Sequence, residues 1–203
     1  MSMQRELPAA VRLPLAVYRV LFPIAAAILL PSTVLRLRRR GNWRANFGQR
    51  FGFFDQTDRA RLLEARWTWV HSISVGETFI ALKLAKALLA RDPDIHIVLS
   101  VTTSTGYALA LGSQGDRLFV MYNPVDGLGP VQRVLKLVRP ERLILIEGEV
   151  WPNLVSECYR SEIPIYLANA RLSPRSAARF ARAKRWAAPF LNLLEWIGIP
   201  EKE

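Results

Sequence analysis

Apolar and polar positions along this chain follow two periods, and the chain switches between them repeatedly. Trp67 to Glu77 (W-T-W-V-H-S-I-S-V-G-E) opens as a short apolar run rich in β-formers, as a strand buried on both faces requires. Ser74 and Gly76 break it within I-S-V-G-E. Thr78 to Ala90 then takes helical spacing, with Phe79, Leu82, Ala85, Lys86 and Leu89 recurring every three or four residues. The alternation continues downstream. It predicts strands over Ile95–Thr102, Arg117–Tyr122, Arg142–Ile146 and Ile163–Ala168. It predicts helices over Tyr107–Leu111, Leu128–Val138 and Asn153–Tyr159, and a last one from Pro174 towards Trp196. Short turns join them, which implies right-handed βαβ units and a parallel sheet covered on both faces. No G-x-G-x-x-G follows a strand, so the dinucleotide fingerprint is absent.

The N-terminal pattern is different. Val20 to Leu35 carries no charge, and the apolar region reaches back through Arg19 to Leu13. Arg36, Arg38, Arg39, Arg40 and Arg44 follow at once, a stop-transfer and positive-inside signal. The leading expectation for residues 1–40 is a single membrane anchor with a basic flank, leaving the rest of the chain in the cytoplasm. A segment lying in the membrane interface is the alternative, given Pro23, Pro31 and Arg19, and a buried amphipathic helix is the third. No small-residue cleavage site follows the apolar run. Residues 41–66 form a connector. Its aromatic and basic part, Trp43 to Phe54, is expected either along the head-group layer or packed on the domain of residues 67–203.

Charge sharpens this picture. The net charge is +11, and residues 1–66 hold 12 arginines against 4 acidic residues. A basic excess beside an apolar segment points to an anionic membrane surface, and no aromatic-basic nucleic-acid motif is visible. Cys158 alone precludes an internal disulfide and reads as a small buried apolar residue. His96 reads as a surface residue at a strand start. Two histidines and one cysteine, far apart, give no metal-site spacing.

The residues with chemistry fall after strand C-termini: Glu77, Thr103 to Thr105, Asp126, Glu147, Glu149, Asn169 and Arg171. In open α/β sheets that edge is where ligands bind, and several such residues describe the lip of one crevice. Glu77 reads either as a helix-start carboxylate favoured by the helix dipole or as a general base. Glu147 and Glu149 stand two apart in an extended segment and point to opposite sides, so at most one faces the crevice. Arg171, Arg175, Arg179 and Arg182 recur at helical spacing, and residues 171–186 hold six basic and no acidic residues. That is either a solvated helix face or a cationic patch for phosphate or anionic lipid.

Six ordered stretches carry a resemblance: W-R-A-N-F-G-Q-R-F-G-F-F (43–54), H-S-I-S-V-G-E (71–77), T-T-S-T-G (102–106), P-V-D (124–126), E-G-E-V-W-P-N (147–153) and N-A-R-L-S-P-R-S (169–176). In these the chain resembles the N-terminal half of the bacterial 3-deoxy-D-manno-oct-2-ulosonic acid (Kdo) transferases of lipopolysaccharide assembly. The resemblance implies a GT-B glycosyltransferase, in which two Rossmann-like domains face each other across a cleft. The N-terminal domain would bind a lipid A precursor (lipid IVA), and the C-terminal domain the donor CMP-Kdo. The reaction would be inverting, without metal or cofactor. Glu77 would be the general base and Glu147 an essential cleft carboxylate. Ser74, Gly76, Thr103, Ser104, Thr105, Glu149, Asn169, Arg171 and Arg175 would contact substrate. The Asn123–Pro130 stretch departs from the family pattern, which lowers the weight on Asp126.

The resemblance also implies a donor domain that lies outside these residues, either as the rest of a longer chain or as a separately encoded partner. The chain alone is therefore expected to transfer no sugar at a useful rate, because positioning of both substrates supplies much of the rate. Two competing expectations remain: a non-catalytic membrane-bound lipid- or anion-binding module, and a GT-B transferase for another lipid acceptor.

Overall fold

The computed structural model describes residues 5–39, 46–148, 150–171 and 174–200. Its centre is a six-stranded parallel sheet in the order β3-β2-β1-β4-β5-β6. The strands are β1 (Trp67–Ser72), β2 (Ile97–Val101), β3 (Leu118–Tyr122), β4 (Pro140–Ile146), β5 (Ile165–Ala168) and β6 (Trp196–Ile197). The helices are α1 (Ala9–Arg39), α2 (Gln56–Glu64), α3 (Val75–Arg91), α4 (Ser104–Leu111), α5 (Leu128–Val138), α6 (Pro152–Arg160) and α7 (Pro174–Leu191). This is a Rossmann-like α/β fold with helices on both faces. One face packs Ala81, Ala85, Tyr107 and Ala110 of α3 and α4 on Val70, Leu99 and Val120. The other packs α5, α6, α7 and the start of α1 on Trp67, Trp69, Phe119 and Leu143. Trp67 and Trp69 are fully buried, and truncating either to Ala costs about 3–5 kcal/mol.

The differences from the sequence pattern have local causes. α3 begins at Val75, three residues before the apolar period starts, because the Ser74 hydroxyl caps it. α4 begins at Ser104 for the same reason, with Thr103 as its cap. α7 ends at Leu191, short of Trp196. Trp196 and Ile197 instead form a sixth strand, bound through Glu195 N–H to Ile165 O at 2.8 Å and Gly198 N–H to Leu167 O at 2.8 Å. Two residues are too few for any period to show.

The start of α1 belongs to the core. Leu7, Val11 and Leu15 are buried, and Arg5 N–H donates to Arg160 O at 2.9 Å. Arg19 donates to Asn153 Oδ1 and to Glu157 Oε1 of α6, both at 2.8 Å. Beyond Arg19 the helix exposes Val20, Leu21, Ile24, Ile28 and Leu29. The stretch Ala9–Leu29, 21 residues, is long and apolar enough to cross a membrane.

The described part of the connector packs on the domain. Gly52 turns there with φ +76°, and a Cβ on it would lie 2.8 Å from Arg133 Cβ, so only glycine fits. Gln49 accepts from Tyr122 N–H at 3.0 Å, and Arg50 stacks over the Tyr122 ring at 4.1 Å while donating to Thr102 O at 2.8 Å.

Candidate active site

Strand order reverses between β1 and β4. The chain runs outward from β1 through β2 to β3, then returns to the far side of β1 as β4. At such a switch point the two loops leave in opposite directions and a crevice opens beyond the strand C-termini. Glu77 stands after β1 and Glu147 after β4, so the two carboxylates flank that point.

Glu77 is built in by the turn that carries it. Ser74 Oγ accepts from Glu77 N–H at 3.2 Å, and Ile73 N–H donates to Glu77 Oε2 at 2.8 Å. This is a reciprocal cap in the manner of a capping box. Thr78 Oγ1 closes the turn by donating to Ser74 O at 2.8 Å. Glu77 is 7% exposed, and its Oε1 has no hydrogen-bond partner among the described residues. A carboxylate in the first turn of a helix is stabilised by the dipole and the unpaired N–H groups there. Gly76 is exposed beside it. Among the described residues a Cβ at Gly76 would meet only Ser74 Oγ, at 3.9 Å, so none of them requires glycine there. Yet glycine costs a helix about 1 kcal/mol relative to alanine.

On the β2 side, Thr103 Oγ1 accepts from Gly106 N–H at 3.1 Å, so its hydroxyl is committed to the α4 cap. A Cβ on Gly106 would sit 2.7 Å from Val101 Cγ1 and 2.9 Å from Thr78 Oγ1, which is why α4 can lie close to α3 only with glycine there. Ser104 is half-buried and Thr105 exposed at the start of the helix. Arg50 holds Thr102 O from the other side. The sequence pattern gave no signal for Arg50, because its partner lies in a distant turn.

On the β4 side, Glu147 has φ +68° and Asn169, after β5, has φ +57°. Left-handed backbone at non-glycine residues costs of order 1 kcal/mol each and clusters at functional sites. Glu147 N–H donates to Ala168 O at 2.9 Å, and Arg171 N–H donates to Glu147 O at 3.3 Å, which ties the two strand ends together. The Glu147 side chain is half-buried and Arg171 is exposed. Both border an apolar groove of about 990 Å³ between α1 and α7, which does not include Glu77. Glu149 and the side chain of Arg175 lie outside the described residues.

Asp126 has a structural task that the sequence did not disclose. Trp151, at the start of α6, offers no side-chain cap. Asp126 supplies one from the loop after β3, accepting from Asn153 N–H at 3.0 Å and Leu154 N–H at 2.9 Å. Burial pushes its carboxyl above the usual carboxylate range, opposed by those two N–H groups. Cys158 is buried in the core, where desolvation raises its thiol. His71 is buried on β1, and among the described residues no cluster of three or more His, Cys, Asp or Glu could hold a metal ion.

The model of the 3-deoxy-D-manno-octulosonic-acid transferase (Kdo transferase) family matches residues 45–203. The chain belongs to the Kdo transferase family. It is 31% identical over 167 residues to the 3-deoxy-D-manno-octulosonic acid transferase of Haemophilus influenzae, covering 82% of this chain and 38% of that protein. It is 34% identical over 173 residues to the transferase of the same name from Bordetella pertussis, covering 78% and 38%. It is also 33% identical over 129 residues to a bifunctional glycosyltransferase/methyltransferase of Fusobacterium nucleatum, covering 63% and 20%. The chain thus spans about two fifths of the length of the Kdo transferases it matches. Glu77, Glu147 and Arg171 all fall inside the matched region.

Proposed function

We propose that this chain is the acceptor-binding half of an inverting Kdo transferase, with Glu77 as the general base. The observation that carries the reading is the Glu77 carboxylate at the switch point. One oxygen is fixed by Ile73 N–H, and the other has no hydrogen-bond partner among the described residues. In the reaction an acceptor hydroxyl oxygen attacks the anomeric carbon of Kdo. The bond from that carbon to the CMP phosphate oxygen breaks, CMP leaves with the electron pair, and the hydroxyl proton passes to Glu77. The acceptor is a lipid A precursor, lipid IVA, and the donor is CMP-Kdo on a C-terminal domain. Glu147, Ser104, Thr105, Asn169 and Arg171 border the acceptor, with Arg171 suited to bidentate contact with a phosphate. The open space over Gly76 gives the acceptor access to Glu77. The exposed apolar turns of α1 and the basic residues rest on the inner membrane, with the domain on its cytoplasmic side, where the acceptor lies.

The test reads transfer from CMP-Kdo to lipid IVA by the 203-residue chain, alone and joined to a C-terminal donor domain. Alone it forms no product above background. Joined, it transfers, and Glu77→Gln lowers kcat by about 10²–10⁴-fold with little change in acceptor KM. Glutamine still accepts from Ile73 N–H, so the turn survives the change. Wild-type turnover by Glu77→Gln would remove Glu77 from the base role.

A further inference from the structure

We propose that the groove between α1 and α7 seats one fatty acyl chain of a lipid, which under the reading above is a chain of the acceptor. The inference rests on that reading for the identity of the lipid, and on the groove itself for the tail. At about 990 Å³ the cavity stands at the upper end of the range for small-molecule sites. Val17 and Leu21 of α1 form one wall, and Phe180, Trp186 and Phe190 of α7 form the other. Among the described residues its charged groups are Glu147 and Arg171, both in the turns at the sheet edge. A ligand matching that arrangement is amphiphilic, with an apolar body along the helices and an anionic or hydroxyl-rich head at the lip. The groove is also continuous with the exposed apolar side of α1, because Leu21 both lines it and faces outward, with Ile24, Ile28 and Leu29 on the turns beyond. A tail held along α1 reaches the groove without crossing water.

The groove contributes position more than affinity. A tail that leaves a bilayer for an apolar groove exchanges one hydrocarbon-like environment for another, so the transfer is nearly neutral. What it gains is register. With one chain fixed between α1 and α7, the head group is confined beside Glu147 and near Glu77, and such confinement is what turns a diffusing acceptor into a positioned one.

The test uses the chain in phospholipid nanodiscs containing a phosphatidic acid with a diazirine near the end of one acyl chain. After illumination, adducts are mapped by mass spectrometry. The expected adducts fall on Phe180, Trp186 and Phe190 as well as on Ile24 and Ile28. Ala187→Trp, which fills the groove from α7, lowers the α7 adducts at least tenfold and leaves those on Ile24 and Ile28. Ala170→Leu, from the turn after β5, does the same, so the inference does not depend on one variant folding. Adducts confined to α1, or α7 adducts that survive both substitutions, would overturn it. An acylated, phosphorylated glucosamine disaccharide displaces the probe from α7 and its deacylated form does not, if the seated chain is the acceptor's. Labelled α7 that neither compound displaces would keep the acyl seat and overturn the acceptor reading instead.

Discussion

His71 lies shortly before Glu77 on the same chain segment, yet the two side chains meet opposite surroundings. Glu77 has one oxygen with no partner among the described residues at the sheet edge, whereas His71 is buried on β1 beside Ser100 of β2. Trp69 Nε1–H donates to Ser100 Oγ at 2.7 Å, and Ser100 Oγ lies 2.9 Å from His71 Nδ1. Ser100 Oγ also donates to Asn123 Oδ1 at 3.4 Å, so its contact with Nδ1 is set by the ring's tautomer, and the nitrogen on the far side of the ring is Nε2. That Nε2 has no partner among the described residues, so a second proton would be a buried, uncompensated charge. Burial accordingly lowers the His71 pKa from 6.5 to about 4. Above pH 6.5 both folded and unfolded chains hold the ring neutral. As pH falls from 6.5 to 4 the unfolded chain takes up a proton that the folded one refuses, so stability falls, by about 3 kcal/mol in all. His71→Gln is expected to flatten that slope. Urea midpoints at pH 7 and pH 4.5 check it, and an unchanged difference between wild type and variant at the two pH values would rule His71 out as the cause.

Among the elements, α6 shows how a helix start can depend on a residue that sequence reading does not connect to it. Asp126 replaces the cap that Trp151 cannot provide, and Asn153 Nδ2 returns a bond to Asp126 O at 2.6 Å. Asp126→Ala leaves two buried N–H groups unpaired and is expected to cost about 2–4 kcal/mol. Asp126→Asn keeps one strong acceptor and should cost less than half as much. Chemical denaturation separates the two, and equal losses would mean that the carboxylate's geometry does not matter. Strands β1 to β5 and α5 were legible because burial on both faces, or a clean apolar stripe, leaves its period in the sequence, whereas the two residues of β6 are too few to leave one. The N-termini of α3 and α4 were not, since Ser74 and Thr103 start those helices ahead of the apolar pattern. The motif residues Glu77 and Glu147 could be placed at strand ends, and the switch point between them followed only from the strand order. Asp126, Arg50 and the groove were hidden for one reason: each is made by residues far apart in the chain. The docking of α1 was hidden for another reason, which lies in the helix itself. It is apolar on nearly every side, so the stripe of Val11 and Leu15 that docks on the core does not stand out from the rest.

At the scale of the whole molecule, the docking of α1 decides how the domain can meet a membrane. Arg19 is the last residue of the docked half, and it reaches Glu157, which is 4% exposed. Arg160 and Gln132 also face that carboxylate, at 3.7 Å and 2.8 Å. Removing Arg19 alone leaves Glu157 short of charge balance in a buried site, a loss of about 2–3 kcal/mol given the partners that remain. Replacing both by methionine should restore much of it. With the clasp intact, the stretch available to enter a bilayer starts at Val20, and the uncharged run ends at Leu35. Sixteen residues of helix measure about 24 Å, short of the roughly 30 Å hydrocarbon core. Residues 5–19 would moreover have to leave the domain for the N-terminus to cross. We therefore expect α1 to lie within one leaflet, its apolar side immersed and both ends on the side of the sheet. Cysteines added by Glu6→Cys and by Ser161→Cys, both at exposed positions, beside the buried Cys158, test this in sealed inverted membrane vesicles. A membrane-impermeant maleimide should label the two equally before lysis. If Glu6→Cys reacts only after the vesicles are opened, the helix spans, the Arg19–Glu157 clasp is broken in the membrane, and α1 no longer forms a wall of the groove. If both react at once, α1 stays docked, and the lipid surface and the Glu77 crevice are held in a fixed relation by the same helix.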